Sequence, residues 1–278
     1  MSPQERRAEE PAGEIALLAA ALAARLDRRR RRGTRRRPEA SRPEGAGDPG
    51  AEGARPDGNG RKRAETAQET PENGQEQADF DTEAIRGRAA ACPDLETLRS
   101  EVAACRACGL CETRTQTVFM DGPERARVMF VGEAPGADED RRGVPFVGRA
   151  GQLLTDIITK GMGLERSSVV IANVLKCRPP SNRDPSRREK ELCTPWLERQ
   201  IELVDPEILI PLGRHASGHL LGSEASMGAM RARVHDLAGR RVVPTYHPAF
   251  LLRSPERKRD CWQDIQLAMA ELDLGGDR

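Results

Sequence analysis

Three apolar runs, far apart in the chain, each end in residues that could do chemistry. The first ends at Gly132-Glu-Ala-Pro-Gly136, the second at Asn173 and then Lys176-Cys-Arg-Pro-Pro180, and the third at His247-Pro-Ala-Phe-Leu-Leu-Arg253. A fourth run ends more blandly, at Gly213-Arg-His215. The carboxyl ends of parallel strands share one edge of a sheet, so an amide, carboxylates and an imidazole delivered there would converge on one crevice. Such a set suits hydrogen-bonded recognition joined to acid–base or electrostatic catalysis. The loop from Val131 to Gly148 has neither Gly-Lys-Ser/Thr nor Gly-x-Gly-x-x-Gly, so nucleotide hydrolysis and hydride transfer lose support.

The cysteines are a second constellation: Cys92, Cys105, Cys108, Cys111, Cys177, Cys193 and Cys261. An odd count in a chain of 278 residues makes a poor disulfide framework, and reduced thiols with some binding metal fit better. Cys105-x2-Cys108 is a close pair, and Cys177 and Cys193 bracket a loop of 15 residues. Together they could close a four-thiolate centre. Cys111 extends the pair into a ferredoxin-type run, and spacing does not choose iron–sulfur over zinc. From Lys176 to Lys190 the chain has six basic and two acidic residues. This reads either as a phosphate-contacting loop pinned by metal or as a solvated loop leading into a helix.

Positioning these residues requires a sheet. The runs 127–131, 169–174, 208–212 and 242–246 are nearly continuous in Val, Ile and Leu, as in strands buried on both faces. Helical patterns over 150–162, 186–203, 214–221 and 256–272 alternate with them. This order predicts a three-layer α/β/α fold with a central four-stranded, mostly parallel sheet. Order should begin near Pro93, with Asp94 capping a helix that carries Leu95, Leu98 and Val102.

Residues 91–278 form the expected folded domain. Residues 1–90 read as a low-complexity tail with a single aromatic, Phe80, and a short helix over 14–32. From 38 to 79 the chain is too polar to offset its ordering entropy, so it should be disordered. The arginines at 28–32 and 35–37 leave the tail's partner open, and a net charge of +1 adds no argument for nucleic acid. No run reaches membrane-spanning length. The apolar stretch 15–26 follows glutamates and precedes arginines, the reverse of a secretory signal, so a cytoplasmic protein is expected.

Gly132-Glu-Ala-Pro-Gly-x-x-Glu-Asp140, Pro145-Phe-Val-Gly148, Asn173-Val-Leu-Lys-Cys-Arg-Pro-Pro-x-Asn-Arg183 and His247-Pro-Ala-Phe-Leu-Leu-Arg253, with this cysteine spacing, resemble the family 4 uracil-DNA glycosylases over about residues 95–272. The resemblance implies a [4Fe-4S] cluster on Cys105, Cys108, Cys177 and Cys193, with Cys92, Cys111 and Cys261 as bystanders. It implies a monomeric repair enzyme that flips uracil out of single- or double-stranded DNA, hydrolyses its glycosidic bond and leaves an abasic site. Phe146 would stack on the base, Asn173 would read its edge, and His247 would support the leaving oxygen. Glu139 would place the water, with Glu133 as the competing carboxylate. Ala134 and Gly136 stand where better-known uracil glycosylases carry an aspartate and an aromatic, so those two contributions are missing from this loop. Leu251 or Leu252 would wedge into the duplex, with Arg178, Arg183 and Arg253 on phosphates. The competing readings are a non-catalytic iron–sulfur module that binds DNA, a relative that traps uracil-DNA covalently through a histidine, and a zinc-bound thiol redox protein. The loop from Arg178 to Arg183 contains no histidine for covalent trapping, and the redox reading leaves Asn173 and His247 without a purpose.

Overall fold

The structure, a computed structural model, describes residues 81–272. The expected tail, its helix over 14–32 and its arginine runs lie outside the described residues. Six strands form one sheet in the order β1-β3-β2-β4-β6-β5. They are β1 (Met120–Asp121), β2 (Val128–Gly132), β3 (Val170–Asn173), β4 (Ile208–Pro211), β5 (His235–Leu237) and β6 (Arg240–Val242). The parallel centre is β3-β2-β4-β6, of which β2, β3 and β4 lie where expected. The fourth strand, expected over 242–246, is Arg240–Val242, with Thr245 continuing it only as a single parallel bridge to Leu212. The sheet is wider than expected because β1 and β5 add antiparallel edges. These edges are two and three residues long, too short to stand out as strand patterns in the sequence.

Every residue of β2, β3 and β4 is buried. Successive side chains leave opposite faces of a strand. Met129, Val131, Val170, Ala172 and Leu209 enter one apolar cluster, whereas Val128, Phe130, Ile171, Ile208 and Ile210 enter the other. The helices in chain order are α1 (Thr82–Ala90), α2 (Leu95–Ala103), α3 (Leu110–Thr113), α4 (Ala137–Arg142), α5 (Arg149–Asp156), α6 (Arg187–Val204), α7 (Gly213–Leu221), α8 (Met227–Met230), α9 (Pro248–Arg253) and α10 (Lys258–Glu271). α1, α2 and α6 cover the first face; α5, its π-helical continuation Ile157–Met162, α9 and α10 cover the second. The result is three layers.

α1 starts ahead of Pro93. Ile85 and Ala89 anchor it in the core, and Arg88 reaches Glu101 and lies over Trp196. Asp94 does cap α2, accepting from the Thr97 amide at 2.7 Å. The chain runs from β2 to β3 on one side and later to β4 on the other. The connections after β2 and β4 therefore diverge and open a crevice at the strands' carboxyl ends.

Candidate functional site

A cavity of about 720 Å³ occupies that crevice, and Glu133, Gly136, Phe146, Asn173, His215 and His247 are among its walls. Asn173 is the last residue of β3, paired in register with Gly132 at the end of β2. The missing side chain at Gly132 is what lets the site form. A Cβ there would lie 2.3 Å from Asn173 Oδ1 and 2.7 Å from two ring carbons of Phe146. The amide and the ring therefore meet over bare backbone. Phe146 and His247 follow at 5.6 Å between ring centroids. One planar ring could touch all three side chains. Asn173 is 2% exposed, yet its Oδ1 has no hydrogen-bond partner among the described residues.

Phe146 is held in the left-handed region (φ 55°), which is costly for a residue with a Cβ. Two features impose it. Gly151 packs so closely that a Cβ would sit 1.8 Å from the Phe146 carbonyl oxygen. Glu139 clamps the loop from the other side: Oε1 accepts from the amides of Val147 and Gly148, and Oε2 from that of Gly136. Glu139, expected to place water, thus spends about three of four carboxylate acceptor positions on backbone. Its first role is to hold the loop around Phe146.

His247 caps α9, its Nδ1 accepting from the Ala249 amide at 3.1 Å. Desolvation in the pocket wall, helped by the Arg253 charge, pushes its pKa down to about 4. A neutral imidazole with Nδ1 accepting carries its proton on Nε2. The strand end ahead of it is fixed by wholly buried Asp264, which accepts from Thr245 Oγ1, Arg231 Nε and the Ala232 amide.

Glu133 is half-buried, burial raises its carboxyl pKa, and its Oε1 has no hydrogen-bond partner among the described residues. His215, which the sequence placed at a strand end without a role, faces it at 3.8 Å through Nδ1 and faces Asp184 at 3.8 Å through Nε2. Both distances exceed hydrogen-bond reach. Ala134 and Gly136 line the cavity without functional groups.

The outer wall corrects several expectations. Leu251 is 1% exposed and belongs to the core, because Pro248 and Leu251 share the inner face of α9. It is not available to a duplex. Leu252, at 45%, is exposed. Arg253 lines the cavity and has no hydrogen-bond or ion-pair partner among the described residues. Arg178 donates to Asn182. Arg183 is engaged by Glu189 and Arg187 by Glu191, so the loop is less free in charge than its count suggests. Lys176, counted with that loop, is 1% exposed.

Behind the loop lies a small cavity of about 20 Å³ lined by Cys105, Cys108, Cys111, Cys177 and Cys193. Cys105 and Cys108 lie in the turn between α2 and α3, Cys111 in α3, Cys177 in the connection after β3, and Cys193 in α6. Cys92 and Cys261 lie apart, in the two core clusters. Cys111 shares the pocket with the expected four. Burial pushes the Cys108 thiol up to about 11 and raises those of Cys177 and Cys193. Thiolates here would therefore need cationic compensation. Arg114 Nη1 donates to Cys177 Sγ at 3.1 Å and the Lys176 amide to Cys193 Sγ at 3.3 Å, the kind of contacts that surround ligated sulfur. Converging reduced thiols with N–H donors on their sulfurs fit a thiolate-ligated cluster. No helix among the described residues is long and apolar enough to cross a membrane.

Comparison with known proteins gives the same direction. The family model described as uracil DNA glycosylase superfamily matches residues 119–266. The chain is 42% identical over 172 residues to a type-4 uracil-DNA glycosylase of Sulfurisphaera tokodaii, covering 58% of this chain and 77% of that protein. It is 42% identical over 174 residues to one of Thermotoga maritima, covering 61% and 90%. A type-5 uracil-DNA glycosylase of Pyrobaculum aerophilum is 33% identical over 145 residues, 46% of this chain and 63% of that one.

Proposed function

Because the chain belongs to the type-4 uracil-DNA glycosylases of the uracil-DNA glycosylase superfamily, we propose that its crevice receives a uracil flipped out of DNA and releases it by hydrolysis. One observation carries the reading: a buried amide oxygen beside an aromatic ring, with no donor among the described residues. Uracil N3–H is such a donor, and uracil O4 accepts from the same amide's Nδ2. Cytosine reverses both groups and leaves them unpaired. Phe146 stacks on the ring, worth roughly 1–3 kcal/mol.

As the glycosidic bond breaks, the sugar becomes oxocarbenium-like and uracil becomes an anion. Nε2–H of neutral His247 donates to O2, where that charge gathers. The remaining lone pair of Glu139 orients the attacking water. Glu133, which also lines the cavity, is the competing carboxylate for that task. Leu252 fills the gap left in the stack, and Arg253 and Arg178 meet phosphates. Cys105, Cys108, Cys177 and Cys193 would hold a [4Fe-4S] cluster. When bound it supplies a cross-link between three segments and a net anionic charge. One chain provides every residue named, and a single- or double-stranded substrate suits the open crevice.

The test is a uracil-containing oligonucleotide incubated with the protein, then treated with alkali and sized. Free uracil and an alkali-labile strand are expected. Tight binding without base release would leave only the non-catalytic reading, and a stable protein–DNA adduct would revive covalent trapping.

His247 also sets a pH dependence. Its pKa is about 4 folded against 6.5 unfolded, so between those values the unfolded chain holds a proton that the folded chain lacks. Its contribution is intact above pH 6.5 and is lost as pH falls toward 4. Urea midpoints measured across that window should fall less steeply in His247→Asn than in the unsubstituted protein.

A further inference from the structure

Lys176 is the one fully buried lysine among the described residues, and nothing above gives it a task. Its Nζ donates to the Asn173 carbonyl oxygen at 2.6 Å and to Oε1 of Gln200. Gln200, also fully buried, passes its own amide to the Phe119 carbonyl at 3.1 Å. The Lys176 backbone is fixed at both ends, by Cys193 Sγ on its amide and by the Val118 amide on its carbonyl. Among the described residues no carboxylate pairs with the ammonium, and the neighbours that would act on it as charges, once ionised, are the sulfurs of Cys193 and Cys177. A buried charge without a counter-charge is unfavourable. A side chain present only to fill this space would be better apolar. Lys176 therefore joins two places the sequence keeps separate: the cysteine pocket and the strand end that carries the orphaned amide.

We infer that Lys176 is a positioning residue through which the anionic, filled cysteine centre fixes the end of β3 and so sets how tightly Asn173 reads an extruded uracil. The inference rests on the proposed function. The centre supplies the ammonium's counter-charge. The ammonium in turn holds the Asn173 carbonyl, and the backbone at Asn173 aims its side chain. Small misplacement of a reading group costs much of its effect.

The experiment compares dissociation constants for two oligonucleotides, one with a non-cleavable 2′-fluoro-2′-deoxyuridine and one with a tetrahydrofuran abasic analogue, while iron content is measured on the same samples. The ratio of the two constants isolates reading of the base from general DNA binding, and a merely destabilised domain would not move it. In Lys176→Met the ratio should fall about tenfold, the loss of one charge-assisted hydrogen bond. Abasic DNA should bind as before. Gln200→Met removes the other side-chain partner and leaves the sulfur neighbours alone. It should keep its iron and lose the ratio in the same sense. It decides the matter if Lys176→Met fails to fold or loses iron. A wild-type ratio in iron-loaded Lys176→Met, or in Gln200→Met, overturns the inference. Equal binding of both oligonucleotides by the unsubstituted protein would remove the functional reading itself, and this inference with it.

Discussion

Asn173→Ala should lower single-turnover cleavage of uracil-DNA by about 10³-fold, with little change in binding to undamaged DNA. Two hydrogen bonds to the base edge disappear at once. An unpaired buried group costs about 1–3 kcal/mol, so two cost about 4 kcal/mol, which is about 10³ in rate. The fold should survive: Oδ1 has no partner to lose among the described residues, and the strand carbonyl that Lys176 holds is backbone. Asn173→Asp is the sharper form of the test. Without the amide donor, O4 meets only acceptors, whereas the exocyclic amine of cytosine would find one. Discrimination between uracil and cytosine should narrow in that variant. Rates on both bases that fall together, with weaker binding to any DNA, would instead make Asn173 a structural residue.

The parts of this site that were legible in the sequence are those that chain order delivers. Asn173 and His247 follow apolar runs, and Phe146 is a lone aromatic among Gly and Pro, so a parallel sheet brings them to one edge. What the sequence hid depends on side-chain direction and tertiary pairing. Leu251 and Leu252 are equal as letters, and only the turn of α9 sends one inward. Lys176 reads as one more loop charge until its burial is seen. Glu139 sits three residues after Gly136, the spacing of a capping box. Its bonds to Val147 and Gly148 cross a loop whose closure is not local. His215 could be placed at a strand end but given no role, because its meeting with Glu133 and Asp184 joins three segments far apart in the chain. α1 escaped notice because Ile85 is its only large apolar residue.

Cys193→Ser should abolish visible absorption and iron content and lower the unfolding temperature by about 10 °C, whereas Cys111→Ser should do neither. Cys193 sits in α6, Cys177 follows β3, and Cys105 and Cys108 lie between α2 and α3. Ligation therefore ties the amino-terminal helices to the sheet and to the longest helix among the described residues. Where a small domain has no other core, such a tie can supply about 10 kcal/mol or more of folding free energy. Here two apolar clusters already hold the layers together, so a few kcal/mol is the fitting scale. For a domain of about 190 residues that corresponds to about 10 °C. The serine would also leave a hydroxyl where a buried sulfur accepted the Lys176 amide, so the damage should extend toward Asn173. The control carries equal weight because five thiols line a pocket that needs four. Iron retained in Cys193→Ser but lost in Cys111→Ser would assign the ligands to the run Cys105, Cys108 and Cys111. A pocket loaded with zinc in the unsubstituted protein would keep the cross-link and remove the cluster.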